Sequence, residues 1–261
     1  MSTSALARPL EALSSALVSW GAFAEFCGQV AWRIVTPPRF ADETLRHLWI
    51  TSIRCLGPVV AVNVPCGMVI SLQGLEIFSL FGAHRLLSSL VSVAVLRELA
   101  PIMASVLIAA QGGSATAAEL GSMRIKEELD ATEVMAIDSM RLHVVPRVLA
   151  LTAAGPILYT VGATAGIAGS YLTAVIMRGE AGGVFWSELW ALSQPMDLWA
   201  GLLKTCVFGA TIGLVAAFHG FTATGGAAGV GRAVNFTVVR SVLAFVTLNY
   251  FLTIALYGTP T

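Results

Sequence analysis

The feature that most limits this chain is the recurrence of charge-free stretches long enough to cross a bilayer. A helix needs about 20 mostly apolar residues to traverse the hydrocarbon core. Residues 55–75 carry no charge and form the first expected span. Residues 86–96 and 99–118 are charge-free on either side of Arg97-Glu98. Together they exceed one span, so part of that stretch is expected to leave the bilayer. Residues 148–177 predict one long tilted span or a span with an extension. Residues 198–218, broken only by Lys204, predict a fourth, and residues 241–261 a fifth that starts earlier if Arg240 snorkels. Charged residues make up 11% of the chain and hydrophobic ones 56%, where a soluble domain carries roughly 25% charged residues. The expected fold is therefore all-α and polytopic, with five transmembrane helices. The balance of 15 Lys+Arg against 15 Asp+Glu leaves no net charge. This argues against a basic nucleic-acid-binding face and against a disordered chain.

Residues 5–32 read differently. Leu6, Leu10, Leu13, Leu17 and Trp20 recur at helical spacing, with Arg8, Glu11, Ser14, Ser15, Ser19 and Glu25 between them. A moderately apolar amphipathic helix tends to lie in the membrane interface. Pro37-Pro38 is expected to end it. A poor sixth transmembrane helix is the other reading. The whole of residues 1–261 is read as a single domain, with 1–46 an interfacial helix and linker and 47–261 the transmembrane bundle.

Orientation follows from Lys and Arg, which are enriched in cytoplasmic segments. With five spans and an inside N-terminus, the inside segments hold Arg8, Arg33, Arg39, Arg46, Arg124, Lys126, Arg141, Arg147, Arg232 and Arg240. The outside segments hold only Arg85 and Arg178. The N-terminus is therefore expected in the cytoplasm and the C-terminus outside.

Residues 119–147 gather an unusual share of the chain's charges. Ser122–Ile137 contains no Pro or Gly and predicts a short cytoplasmic helix capped by Ser122, between the second and third spans. Met123, Ile125, Leu129, Val134 and Met135 remain apolar within it. A solvated connector is one reading; a helix that docks into a groove on a partner is the other. Glu119, just before this segment, is expected at the cytoplasmic boundary, where it caps a helix or pairs with a basic residue.

Within the second span, Arg97-Glu98 stands out. Ionisable residues inside a membrane are costly and usually face the protein interior or a cavity. The pair is either a local ion pair that stabilises the fold or part of a gate. Gly162-x-x-x-Gly166 and Gly209-x-x-x-Gly213 predict close helix approach.

Catalytic patterns are missing. The only lysines are Lys126 and Lys204, and there is no G-x-x-x-x-G-K-[ST], so a Walker A nucleotide site is excluded. Neither G-x-S-x-G nor H-E-x-x-H occurs. The four cysteines and four histidines have no metal-ligand spacing. No enzyme activity, cofactor or metal is expected of the chain itself; any ATP hydrolysis falls to a partner.

A longer pattern is more specific. Leu96-Arg97-Glu98-Leu99-Ala100-Pro101 is followed by Gly113-Ser114-Ala115-Thr116-Ala117-Ala118-Glu119-Leu120-Gly121-Ser122-Met123-Arg124. Then come Glu127-Glu128-Leu129-Asp130-Ala131-Thr132-Glu133-Val134-Met135-Ala136-Ile137-Asp138 and Pro146-Arg147. Together they resemble the MlaE/YrbE family, the permease subunits of Mce-associated ABC transporters that move lipids. The resemblance implies one interfacial helix and five transmembrane helices, with a coupling helix between the second and third spans that contacts a cytoplasmic ATPase. It implies a pair of permease subunits enclosing an apolar lipid cavity, and Mce-domain proteins docked on the outer side. It places Arg124, Lys126, Glu127, Glu128, Asp130 and Glu133 at the ATPase contact and implies residence in the cytoplasmic (inner) membrane. Ala110-Gln111 and Phe236 depart from the family pattern, which often carries Arg at Gln111 and Phe236. That divergence points to a heterodimer rather than a homodimer, and to the YrbE branch. Readings from other classes are an ion-coupled secondary transporter and a non-transporting membrane scaffold.

Overall fold

The computed structural model describes residues 4–36, 41–82 and 86–258, with side chains from Val18 onward apart from Leu192. Eight helices and no strand occur among the described residues. They are α1 (Ser4–Val35), α2 (Ala41–Leu80), α3 (Leu86–Ile125), α4 (Glu128–Val134), α5 (Met140–Met177), α6 (Gly182–Leu192), α7 (Pro195–Phe221) and α8 (Gly226–Tyr257). Five of them, α2, α3, α5, α7 and α8, are long and apolar enough to cross a membrane. The all-α, multi-pass architecture agrees with the charge-free windows.

The windows underestimate the helices. The second runs unbroken from Leu86 to Ile125 for 40 residues. At 1.5 Å per residue that is about 60 Å, twice a hydrocarbon core of about 30 Å. The excess beyond one span is therefore continuous helix. The first span begins at Ala41, inside the segment expected as a linker, and carries Asp42 and Glu43 in its first turn. Acidic residues suit a helix N-terminus at the headgroup level. Pro37-Pro38 lies outside the described residues.

The expected helix over Ser122–Ile137 is corrected. Ser122 and Arg124 belong to the last turns of α3, and the next helix starts only at Glu128. Glu127 takes a left-handed conformation with φ 60°, which no run of α-helix tolerates. The Lys126 N–H bonds Ser122 O and the Glu127 N–H bonds Arg124 O, closing the turn. Ala136, also left-handed, ends the segment.

The bundle has two ends. One carries α4 and the α7–α8 turn; the other carries α6 and the C-terminus of α8. Helix α1 packs at the α4 end. Phe23 and Phe26 meet Phe218 edge-on at 5.3 and 5.5 Å, and Val30 is fully buried.

Small residues set the helix crossings. A Cβ on Gly155 would sit 2.2 Å from Thr205 O, and one on Gly209 would sit 2.4 Å from Leu151 O. Helices α5 and α7 therefore touch backbone to backbone. Between α2 and α5, Ser71 Oγ donates to Ser170 O and Ser170 Oγ donates to Gly67 O, at 3.0 and 2.9 Å. Close approach and interhelical hydroxyl bonds are the means of association available where lipid removes the hydrophobic driving force.

Candidate functional site

The most elaborate polar arrangement inside the bundle starts from a proline. Residue 101 has no N–H, so the carbonyl of Arg97, four residues earlier, loses its helical donor. The helix responds by widening into a π-turn over Val95–Leu99, with the Ala100 N–H bonding Val95 O. That shift frees the Leu96 carbonyl as well. Both orphans find partners on neighbouring spans. Tyr159 of α5 donates its hydroxyl to Leu96 O at 3.1 Å, and Lys204 of α7 donates its ammonium to Arg97 O at 2.9 Å. Buried backbone carbonyls need such partners, and π-turns recur where a helix has been reshaped for function.

The side chains of the same π-turn complete a network. Lys204, fully buried, lies 3.0 Å from Glu98 Oε1 and donates to Thr253 Oγ1 at 2.8 Å. Asn249 Nδ2 donates to Glu98 Oε2 at 2.8 Å. Thr253 and Asn249 are one turn apart on α8. Arg97 turns the other way. Its Nε lies 2.8 Å from Asp197 Oδ1, and its terminal nitrogen donates to Asp197 Oδ2 at 3.2 Å. Its guanidinium also lies over the Tyr257 ring, 4.6 Å from the centroid. Asp197 is fixed at the start of α7, where its carboxylate accepts from the Gln194 backbone N–H at 3.0 Å.

Arg97 and Glu98 are neighbours in the sequence. In the structure they reach different partners, Asp197 and Lys204, because adjacent positions on a helix point about 100° apart. Lys204 was visible in the sequence only as an interruption of the fourth span. Asp197, outside any span window, gave no signal at all. The two cations and two anions balance, and they bind α3 to α7 and α8. Asp197 and Lys204 are buried, whereas Arg97 and Glu98 keep exposed edges of 28% and 37%. The Tyr257 hydroxyl and Asn249 Oδ1 are buried without an acceptor or donor. The network thus has an open rim at Arg97 and Glu98 and a closed interior that holds unspent polar atoms.

At the α4 end the other expected site residues fall on three elements. Arg124 lies on α3, Lys126 and Glu127 form the turn, and Glu128, Asp130 and Glu133 lie on α4. Several engage one another. Arg124 pairs with Asp130 and Lys126 approaches Glu128 at 3.9 Å. Ser139 donates to Glu133 Oε1 at 2.6 Å. Leu129 is buried and roots α4 in the bundle, whereas Val134 and Met135 are 88% and 63% exposed. Arg147, nearly buried, pairs with Glu119 at 3.3 Å, the kind of basic partner expected for Glu119. Arg33 of α1 pairs with Asp138 at 2.7 Å, and Arg141 donates to Thr36 Oγ1 at 2.9 Å. Burial pushes the Asp138 carboxyl up, but the Arg33 hydrogen bond, the Arg141 N–H and the two guanidinium charges outweigh it. Its pKa ends below the ordinary carboxylate value. No group of three or more metal-ligating side chains occurs among the described residues.

Residues 44–255 match the family model for the MlaE permease. The chain belongs to the MlaE permease family. The MlaE match takes in nearly all of the five long helices together with α4 and α6. A probable ABC transporter permease protein of Rickettsia bellii is 31% identical over 90% of this chain and 91% of its own length. The intermembrane phospholipid transport system permease protein MlaE of Haemophilus influenzae is 31% identical over 82% of each chain. A probable ABC transporter permease protein of Synechocystis is 37% identical over 71% of each.

Proposed function

We propose that this protein is the permease subunit of an ATP-driven transporter that moves lipid between the cytoplasmic membrane and a conduit of Mce-domain proteins. The observation that carries this reading is the MlaE match over residues 44–255, which spans the bundle rather than one motif. The phospholipid named for the Haemophilus relative supports the choice of cargo class. The chain has no Walker A element, so ATP binding and hydrolysis belong to a separate cytoplasmic ATPase. The α4 end faces the cytoplasm in this reading, because Arg33, Arg46, Arg124, Lys126, Arg141 and Arg147 gather there. The N-terminus is then cytoplasmic and the C-terminus outside.

Helix α4 serves as the coupling helix. Its buried Leu129 fixes it to the bundle, Lys126, Glu127, Glu128 and Asp130 are exposed toward its start, and Val134 and Met135 are exposed at its end. Exposed charges followed by an exposed apolar end suit a groove on a partner. Glu133, held by Ser139, and Arg124, held by Asp130, set the shape of the segment. The second permease subunit packs against α8, whose Leu243, Val246, Tyr250 and Phe251 are exposed; a different permease copy, giving a heterodimer, is the preferred partner. Arg97 and Glu98 hold α3 to α7 and α8, and opening or collapse of the lipid cavity shears that network at its exposed rim.

The test is charge reversal on α4. Glu128→Lys with Asp130→Lys should abolish co-purification of the ATPase while the permease still inserts in the membrane. Undiminished ATPase recovery with that variant would overturn the assignment of α4.

A further inference from the structure

We propose that α6 is a second interfacial helix, seated in the lipid headgroup layer at the end of the bundle opposite α4. The inference rests on the membrane placement of the five spans and not on the nature of the cargo. Helix α6 is confined by its neighbours. It begins at Gly182 and ends at Leu192, between a span that finishes at Met177 and one that starts at Pro195. So short a tether at both ends keeps it at the level where α5 and α7 leave the hydrocarbon.

One face of α6 is docked on the protein. Phe185 and Leu189 are buried, sharing a cluster with Leu87 and Val91 of α3. Ser89 donates to Glu188 O at 3.0 Å, and Ser92 bonds Ser193. Beside this face stand Trp186 and Trp190, four residues apart and therefore aligned. Trp190 is 61% exposed, and Trp199, one turn into α7, is 68% exposed. Glu188 points about half a turn away from the tryptophan pair. Ser187 and Glu188 are the only polar side chains along α6, and its exposed edge is aromatic, the composition expected at the interface level.

The chemistry of the exposed side selects lipid as its occupant. Indole buries a large ring and must still satisfy one N–H, which is why Trp concentrates where one end is dry and the other wet. Among the described residues, none of the three indole N–H groups bonds to the chain. Headgroup carbonyls, phosphates and water supply the missing acceptor. Exposed apolar residues also occur on the spans on either side, at Ile176 and Leu198, with Arg178 and Glu180 between α5 and α6. The other three tryptophans repeat the arrangement at the α4 end. Trp20 and Trp32 of α1 and Trp49 of α2 are all about 70% exposed, so every Trp in the chain lies at one of two rims and none is spent in the core.

The test uses the full-length protein in vesicles of dioleoyl phosphatidylcholine and dioleoyl phosphatidylglycerol, with and without lipid brominated at the 6,7 positions. The emission lost on making Trp186→Phe/Trp190→Phe isolates the α6 indoles; Trp190→Phe alone isolates the more exposed of the two if the double variant fails to insert. That component should fall by at least half with brominated lipid and change little with aqueous iodide. Strong iodide quenching with no response to brominated lipid would overturn the proposal and mark α6 as a water-facing surface open to a protein partner.

Discussion

Lys204 donates its ammonium to the main-chain carbonyl of Arg97, 2.9 Å away, because Pro101 has left that carbonyl without a helical donor. The contact joins two facts that are separate in the sequence, a proline in one span and a lone lysine in another. It makes Lys204 the centre of a network that also satisfies Glu98 and Thr253. Replacing it with the similar-sized Lys204→Met leaves the Glu98 carboxylate and the Arg97 carbonyl without their donor. Glu98 is partly exposed, so the main loss is the buried Arg97 carbonyl left without its donor, which costs about 1–3 kcal/mol. The thermal midpoint in detergent should drop sharply, and Glu98→Gln in the same chain should restore part of it. An unchanged midpoint for Lys204→Met would show that the network carries no stability.

The α5–α7 crossing makes a second prediction. A Cβ at residue 155 meets the Thr205 carbonyl at 2.2 Å, and backbone does not yield as a flexible side chain does. Overpacking of this kind costs about 1–3 kcal/mol. Gly155→Ala should therefore lower the thermal midpoint in detergent. Gly21→Ala, where no atom lies within 4 Å of the added Cβ, should not.

The tie between α1 and the segment following α4 is pH-dependent in a defined direction. The Asp138 carboxyl is held below its ordinary pKa, so the folded state binds the proton more weakly than the unfolded state. Its contribution is fully present above the unfolded carboxylate value of about 3.9 and is lost as pH falls through the lowered folded value. The pair is partly exposed, so Arg33→Ala should cost only about 0.5–1 kcal/mol at neutral pH. Thermal midpoints of the two proteins measured from pH 7 downward should converge below pH 4. A constant gap would mean that Arg33 acts by packing and not by charge.

The apolar tip of α4 predicts a fourth result. Val134→Ser with Met135→Ser leaves buried Leu129 in place and removes exposed apolar surface. ATPase co-purification should weaken at least tenfold, with membrane insertion and thermal midpoint unchanged. Retained co-purification would restrict the contact to the charged residues.

The spans were legible because hydrocarbon tolerates few charges, and the five expected spans each overlap a long helix. Their ends were not, because a helix that leaves the hydrocarbon continues with residues such as Asp42, Glu43 and Arg46 that no apolar window contains. The start of α4 was misplaced for a different reason. The break is made by Glu127 in a left-handed conformation, and Glu carries no turn signal of the kind Gly or Pro would. Arg97, Glu98 and Lys204 were each visible as charges inside spans. Their partners were not, because Asp197 is brought in by the geometry of the α6–α7 turn, and Asn249 and Thr253 are ordinary residues until α8 packs beside α3.

Purification of the protein from native membranes in mild detergent, with mass spectrometry of the bound proteins and lipids together, tests the central claim most directly. Recovery of an ABC-type ATPase, a second MlaE-family permease and Mce-domain proteins, with one lipid class enriched over the bulk membrane, is the predicted result. Recovery of this chain alone, with lipid in bulk proportions and no ATPase, would contradict it.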